Sequence, residues 1–347
     1  MTKIKVGFNV GPLKNGHQFR GIGQHTKNLL DELRLREDLE IKEVGSIGKL
    51  SQIDIVHHTF FDLFRSTLPI TKTPAIVTIH DVIPLVFPNH YPVGMRGRIA
   101  FIQQKRSLKY VKAVITISES AKEDIVRYLD VDPKKVFPIH LGVGNNFVAI
   151  KNKEILNEVK KRYELPDQFA LYIGNVNWNK NLINIVEGCL KANIPLVLIG
   201  KSFEDHDDLN HPELRSYKKF LQLYDKHPLV IKMGFLENDL VIKIMNLATV
   251  LLLPSYYEGF GLPIIESQAC GLPVITSQIS SMPEVAGDGA VLVDPYNSVV
   301  IADAISKIRD DNRFREMLII KGFQNSKKFS WKITAEETAK VYKNVGS

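Results

Sequence analysis

Cysteine is scarce in this chain: two in 347 residues, Cys189 and Cys270, far apart and without Cys-x-x-Cys spacing. No disulfide framework can be read from them; both fit small apolar core positions in a reducing compartment, and a cytoplasmic location is the expectation. Long hydrophobic runs are missing too, since no apolar stretch approaches the roughly 20 residues that span a bilayer. Met1-Thr2-Lys3-Ile4 leads straight into a strand pattern, not the profile of a signal peptide. Acidic residues are absent between Asp81 and Glu119. Residues 1–150 hold 21 Lys+Arg against 14 Asp+Glu, whereas the remainder holds 24 of each, so the whole net charge of +7 lies in the N-terminal part. That asymmetry suits an anionic surface or substrate. Nucleic acid is not the expected partner, because no aromatic interleaving or recognised binding motif accompanies the charge. What remains, 44% hydrophobic and 24% charged, describes a globular chain long enough for two domains.

The rest is organised around Pro254 to Glu266. An apolar run, Thr249 to Leu253, reads as a buried parallel strand ending at Pro254. Pro263 occupies a favoured first helical position, and Ile264 to Ala269 continue as helix. Between them, Gly259 and Gly261 let the backbone approach a ligand closely. A strand's carboxyl end feeding a helix N-terminus presents N–H groups and a positive dipole to an anion. It is also the ligand side of an open α/β sheet. Two carboxylates flank the loop, Glu258 and Glu266, and a carboxylate pair accepts hydrogen bonds from sugar hydroxyls. From spacing alone, Glu258 as a solvated charge and Glu266 as a dipole-favoured first-turn residue is an equal reading.

Along the chain, Lys3 to Val10 reads as a first strand. Arg20-Gly21-Ile22-Gly23 then precedes an amphipathic helix, His25 to Leu35. As a dinucleotide fingerprint it is incomplete, since Thr26 stands at the third glycine position. Ala75 to His80 is another strand, which puts His80-Asp81 at a carboxyl end. His57 and His58, adjacent on a strand, point to opposite faces and read as structural. A helix from Arg96 to Lys112 carries Arg98, Lys105, Arg106, Lys109 and Lys112 broadly on one side, with Ile102 intruding. It is either an ordinary solvated face or a contact for anionic lipid headgroups. The segment Lys151 to Tyr163 reads as a linker, so the domains are expected at 1–163 and 164–330, with a C-terminal helix at 331–347. The second domain restarts with the strand Phe169 to Gly174, then Asn175 to Asn181 and a helix from Leu182. Lys180 before that helix is suited to neutralise phosphate. The Asp205–His211 stretch, with an Asp-x-Asp and two histidines, lacks an established metal-ligand spacing and reads as a polar loop.

The residues E-G-F-G-L-P-x-x-E, Glu258 to Glu266, resemble the E-x7-E signature of the retaining family 4 glycosyltransferases. T-I-H-D-V-I-P-L-x-F-P around His80 and Ser281-Met282-Pro283-Glu284-Val285 resemble further stretches of that family, and similarity runs from about residue 16 to 342. The resemblance implies a GT-B fold: two Rossmann-like parallel-sheet domains facing across a cleft, the last helix crossing back to the first. It implies transfer of a hexose, with GDP-mannose slightly ahead of UDP-glucose as donor, to a glycan or lipid-linked acceptor. No cofactor or metal is called for. Glu258, His80 and Lys180 would be catalytic. Donor contacts would come from Gly174, Asn175, Lys180, Phe235, Leu236, Glu258, Gly259, Phe260, Gly261, Leu262 and Glu266. Arg20, Gly21 and Gly23 would face the acceptor, and the basic helix would meet an anionic membrane from the cytoplasmic side. Asn175 departs from the arginine frequent there, which shifts phosphate stabilisation onto Lys180 and backbone donors. Two alternatives share the architecture: a nucleotide-sugar epimerase, which needs no acceptor, and a non-enzymatic carbohydrate-binding protein.

Overall fold

The computed structural model describes residues 3–14, 16, 21–45, 52–204, 209 and 211–346. Among the described residues twelve strands form two sheets of six, each wholly parallel. The first comprises β1 (Ile4–Asn9), β2 (Leu39–Val44), β3 (Ile55–His58), β4 (Ala75–Thr78), β5 (Ala113–Thr116) and β6 (Val136–Pro138), in spatial order β2-β1-β3-β4-β5-β6. The second comprises β7 (Ala170–Ile173), β8 (Leu196–Ile199), β9 (Val230–Lys232), β10 (Val250–Leu253), β11 (Val274–Ser277) and β12 (Ala290–Val293), in order β12-β11-β10-β7-β8-β9.

These sequences take this form because a parallel strand is covered on both faces. The central strands are short, mostly β-branched or aliphatic runs (β3 ends in two histidines), buried at every position of β3, β4, β5, β8, β10 and β11. One core of the first sheet gathers Phe8, Leu29, Leu33, Ile55, Ile76 and Tyr342. The other face gathers Val56, Val77, Val114, Ile125 and Leu129. Burying each such side chain contributes about 1.5–3 kcal/mol. Helix Glu119–Leu129 is capped by Ser118, whose hydroxyl accepts from the Ala121 N–H at 3.0 Å. Cys189 and Cys270 are both buried thiols.

The chain forms two compact units, Met1–Gly142 with Phe329–Ser347, and Val143–Lys328. The expected boundary after residue 163 therefore falls inside the second unit. There the Asn246 side chain accepts from the Ile150 N–H at 2.7 Å and donates to the Val148 carbonyl at 3.1 Å. It fixes this stretch ahead of helix Lys153–Arg162, which packs on helix Asn238–Met245. Helix Trp331–Gly346 belongs to the first unit, where Gly142 admits it: a Cβ there would lie 2.1 Å from the Trp331 nitrogen.

In each sheet the strand order reverses at one place, between β1 and β3 and between β7 and β10. At such a point, loops leave in opposite directions from neighbouring strands and open a crevice beyond their carboxyl ends.

Candidate functional site

At the reversal point of the second sheet, the loop after β7 carries Lys180 and the loop after β10 carries Glu258. Lys180 Nζ donates to both oxygens of Glu258, at 2.7 and 2.8 Å. The side chains are only 17% and 8% exposed, so the pair is poorly screened by water. Ser255 donates to Glu258 Oε1 at 2.7 Å. Ser280 and Ser281 donate to the Glu258 carbonyl at 2.6 and 2.9 Å, and the Glu258 N–H returns a bond to Ser280. Ser280 reaches this position in the left-handed region, φ 60°, at a cost of about 1–3 kcal/mol.

The two loops are laced directly. Asn179 donates from its side chain to the Tyr257 carbonyl and accepts the Tyr256 N–H on its own carbonyl, both at 2.8 Å. Asn181, left-handed at φ 59°, donates to the carbonyls of Pro254 and Pro295. Tyr256 stacks between Trp178 and Tyr296, with centroids 5.0 and 4.7 Å away. The Tyr172 hydroxyl donates to the Asn175 carbonyl, and burial, then the charge of Glu258, hold it well above the usual phenol range. Together these contacts fix the backbone that aims Lys180 at Glu258.

Gly261 turns the chain into helix Leu262–Ala269 at φ 104°, where an added Cβ would sit 2.9 Å from Ile264 Cδ1. Only glycine meets both demands. The loop is less open than its two glycines imply: Glu258, Gly259 and Phe260 are buried, and Gly261 and Leu262 half-buried. Phe260 is a core side chain, so what it offers a ligand is backbone. Glu266 lies beyond the helix's first turn, so the dipole reading does not account for it. Among the described residues its carboxylate makes no hydrogen bond or ion pair, and burial raises its pKa to about 7. Gly174 and Asn175 lie just past the end of β7. Phe235 and Leu236 follow β9, the edge strand on the β7 side, with Phe235 43% exposed and its N–H on Glu204.

In the first unit, His80 follows β4 and its Nε2 lies 2.8 Å from Nδ1 of His25. Gly21 and Gly23 fall in the first turn of helix Gly21–Arg34; Gly21 faces open space, and Gly23 is buried. Arg20 lies outside the described residues, as do Asp205 to Asp208. Among the described residues no group of three or more His, Cys, Asp or Glu converges to hold a metal. His57 bonds Tyr342 and Thr78 and is structural. Residue-level reading missed Ser255, Ser280, Asn179, Tyr172 and His25. Only Ser255, three residues before Glu258, carried a local signal.

The chain matches the model "Glycosyl transferases group 1" over residues 155–325 and "Glycosyltransferase Family 4" over residues 28–145. It is 29% identical over 287 residues to the serotype-specific mannosyltransferase WbdA of Escherichia coli, covering 79% of this chain and 34% of that protein. The chain thus spans about a third of that relative's length. With O-antigen chain mannosyltransferase B of Escherichia coli it shares 27% identity over 285 residues, 80% of this chain and 72% of that one. The Anabaena protein HepE, solved in complex with UDP and glucose, superposes with a TM-score of 0.73 at 12% identity, over 99% of this chain and all of that one. The chain belongs to the family 4 glycosyltransferases and has their GT-B fold.

Proposed function

We propose that the chain transfers a hexose, with retention of configuration and without a divalent ion, from a nucleotide-diphosphate sugar to a hydroxyl of a glycan or lipid-linked acceptor. The observation that carries this is the Lys180–Glu258 pair, held at the sheet's reversal point by bonds from both loops. Such a reaction must stabilise a departing diphosphate and an oxocarbenium-like sugar. An ammonium donates three hydrogen bonds, so Lys180 can keep Glu258 and still meet a phosphate. N–H groups of the loop and the start of helix Leu262–Ala269 would share that charge. Glu258 would hold sugar hydroxyls, Glu266 the ribose and Phe235–Leu236 the base, while His80 would position the sugar. Gly21 and Gly23, with Arg20, would meet the acceptor. GDP-mannose is the favoured donor, its mannose supported by the names of the two Escherichia coli relatives, which are mannosyltransferases; UDP-glucose is the second, supported by the UDP and glucose of the Anabaena complex.

No helix among the described residues is long and apolar enough to cross a membrane. Helix Met95–Leu108 instead exposes Met95, Ile99 and Ile102 among Arg96, Arg98 and Arg106, with Lys109 and Lys112 just beyond. An apolar strip in a basic field suits the cytoplasmic face of an anionic membrane, where a lipid-linked acceptor would lie.

The test is incubation with GDP-mannose or UDP-glucose, with and without a mannosylated acceptor, in EDTA. Release of GDP or UDP only with acceptor, and an α-linked product, supports the proposal. A new nucleotide sugar formed without acceptor would make the chain an epimerase. Absence of any nucleotide-induced thermal shift would favour a carbohydrate-binding protein.

A further inference from the structure

His80 does not stand alone. On helix Gly21–Arg34, His25 is 2% exposed and meets His80 edge to face, ring centroids 4.9 Å apart and planes at 81°. The hydrogen bond of 2.8 Å joins Nδ1 of His25 to Nε2 of His80. Behind His25 lies Trp331, the first residue of helix Trp331–Gly346, stacked at 5.9 Å and 25°. Trp331 is itself 7% exposed and seated against Gly142. Three segments distant in sequence therefore converge on one imidazole.

We propose that His25, backed by Trp331, is a positioning residue: it fixes the ring orientation and tautomer of His80. This rests on the reading of His80 as a sugar contact. In a neutral imidazole one nitrogen donates and the other accepts, and the bond made by the first sets the role of the second. The His25 bond commits Nε2, so the character of Nδ1 in His80 follows from which ring carries the shared proton. Losing that bond frees Nε2 to exchange its role with Nδ1.

The choice of histidine has a chemical reason. A carboxylate in this place would favour an imidazolium, putting positive charge beside a sugar that itself turns cationic in the transition state. His25 cannot act so. Burial, then the charge of His57, lower its pKa to about 3, so it stays neutral at working pH. It orients without charging.

Two measurements test this. In protein carrying 15N-histidine, wild type should show a scalar coupling across the His25–His80 hydrogen bond. The two ring nitrogens of His80, assigned with His80→Gln, should have the widely separated shifts of one tautomer. His25→Phe should draw those shifts together, and His25→Gln, which can bond either way, should part them again. In transfer assays, His25→Phe should lower kcat on the order of 10-fold to 100-fold with donor KM changed less than 2-fold. His25→Gln should recover most of it, and His25→Phe combined with His80→Ala should be no worse than His80→Ala alone. Absent coupling in wild type, multiplying losses, or an unchanged kcat in His25→Phe would overturn the inference. The wild-type coupling needs no variant to fold. Wild-type turnover by His80→Ala would instead contradict the sugar-contact reading, while the coupling still reports on the pair.

Discussion

Lys180 and Glu258, 78 residues apart in sequence, form a two-pronged ion pair of 2.7 and 2.8 Å in which neither side chain is more than 17% exposed. Removing one partner leaves a poorly hydrated charge. Glu258→Ala should cost on the order of 3 kcal/mol and nearly abolish transfer while leaving a folded protein. Lys180→Ala with Glu258→Ala should lose less stability than the two singles summed. Urea denaturation of the four proteins, beside their turnover, checks both. Wild-type turnover in Glu258→Ala would remove Glu258 from the site.

Glu266 gives a pH dependence of known sign. Its pKa rises from 4.5 unfolded to about 7 folded, because burial disfavours the carboxylate. A raised folded pKa contributes stability that is fully present below pH 4.5 and is lost as pH rises through 7. Glu266→Gln should therefore raise stability at pH 8 by on the order of 3 kcal/mol, seen as a higher Tm, and leave it unchanged near pH 4. If Glu266 accepts ribose hydroxyls as a carboxylate, nucleotide binding near pH 6.5 should release a proton. Calorimetry in buffers of different ionisation enthalpy detects it, and Glu266→Gln should abolish it.

The first unit should be sensitive to acid. Burial lowers the pKa of His25 and His57 to about 3 and of His58 to about 4, from 6.5. These groups resist protonation when folded, so the stability they confer above pH 6.5 is lost as pH falls toward 4, by about 1.4 kcal/mol per pH unit for each. His58 is 4% exposed, and neither ring nitrogen has a hydrogen-bond partner among the described residues. His58→Phe should be near neutral at pH 8 and stabilising at pH 5. Thermal scans from pH 8 to pH 4.5 check the slope.

Gly261→Ala should be far worse than a typical surface change. The φ of 104° and the 2.9 Å approach to Ile264 predict a loss above about 1 kcal/mol and weaker nucleotide binding. Both are read by thermal shift with and without GDP.

How much was legible followed from range in sequence. The strands and the loop at 254–266 rest on local patterns: short apolar runs, a proline at the helix start, glycines at the turn. Lys180 and Glu258 were each identifiable, yet their pairing was not, because it depends on β7 and β10 being neighbours. Phe260 looked available in the motif and is core. His25 read as an ordinary helix residue because His80 and Trp331 are 55 and 306 positions on. The boundary at Gly142 hid for the same reason: the stretch after it is tied to the second unit by a distant amide, Asn246.

The central claim is that Lys180 meets the diphosphate of a nucleotide sugar. Calorimetric titration of wild type and Lys180→Ala with GDP and UDP tests it most directly. Wild type should bind at least one, and Lys180→Ala should weaken that binding about tenfold or more, at least about 1.4 kcal/mol. Equal affinity in the two proteins, or no binding of either nucleotide by wild type, would contradict the account.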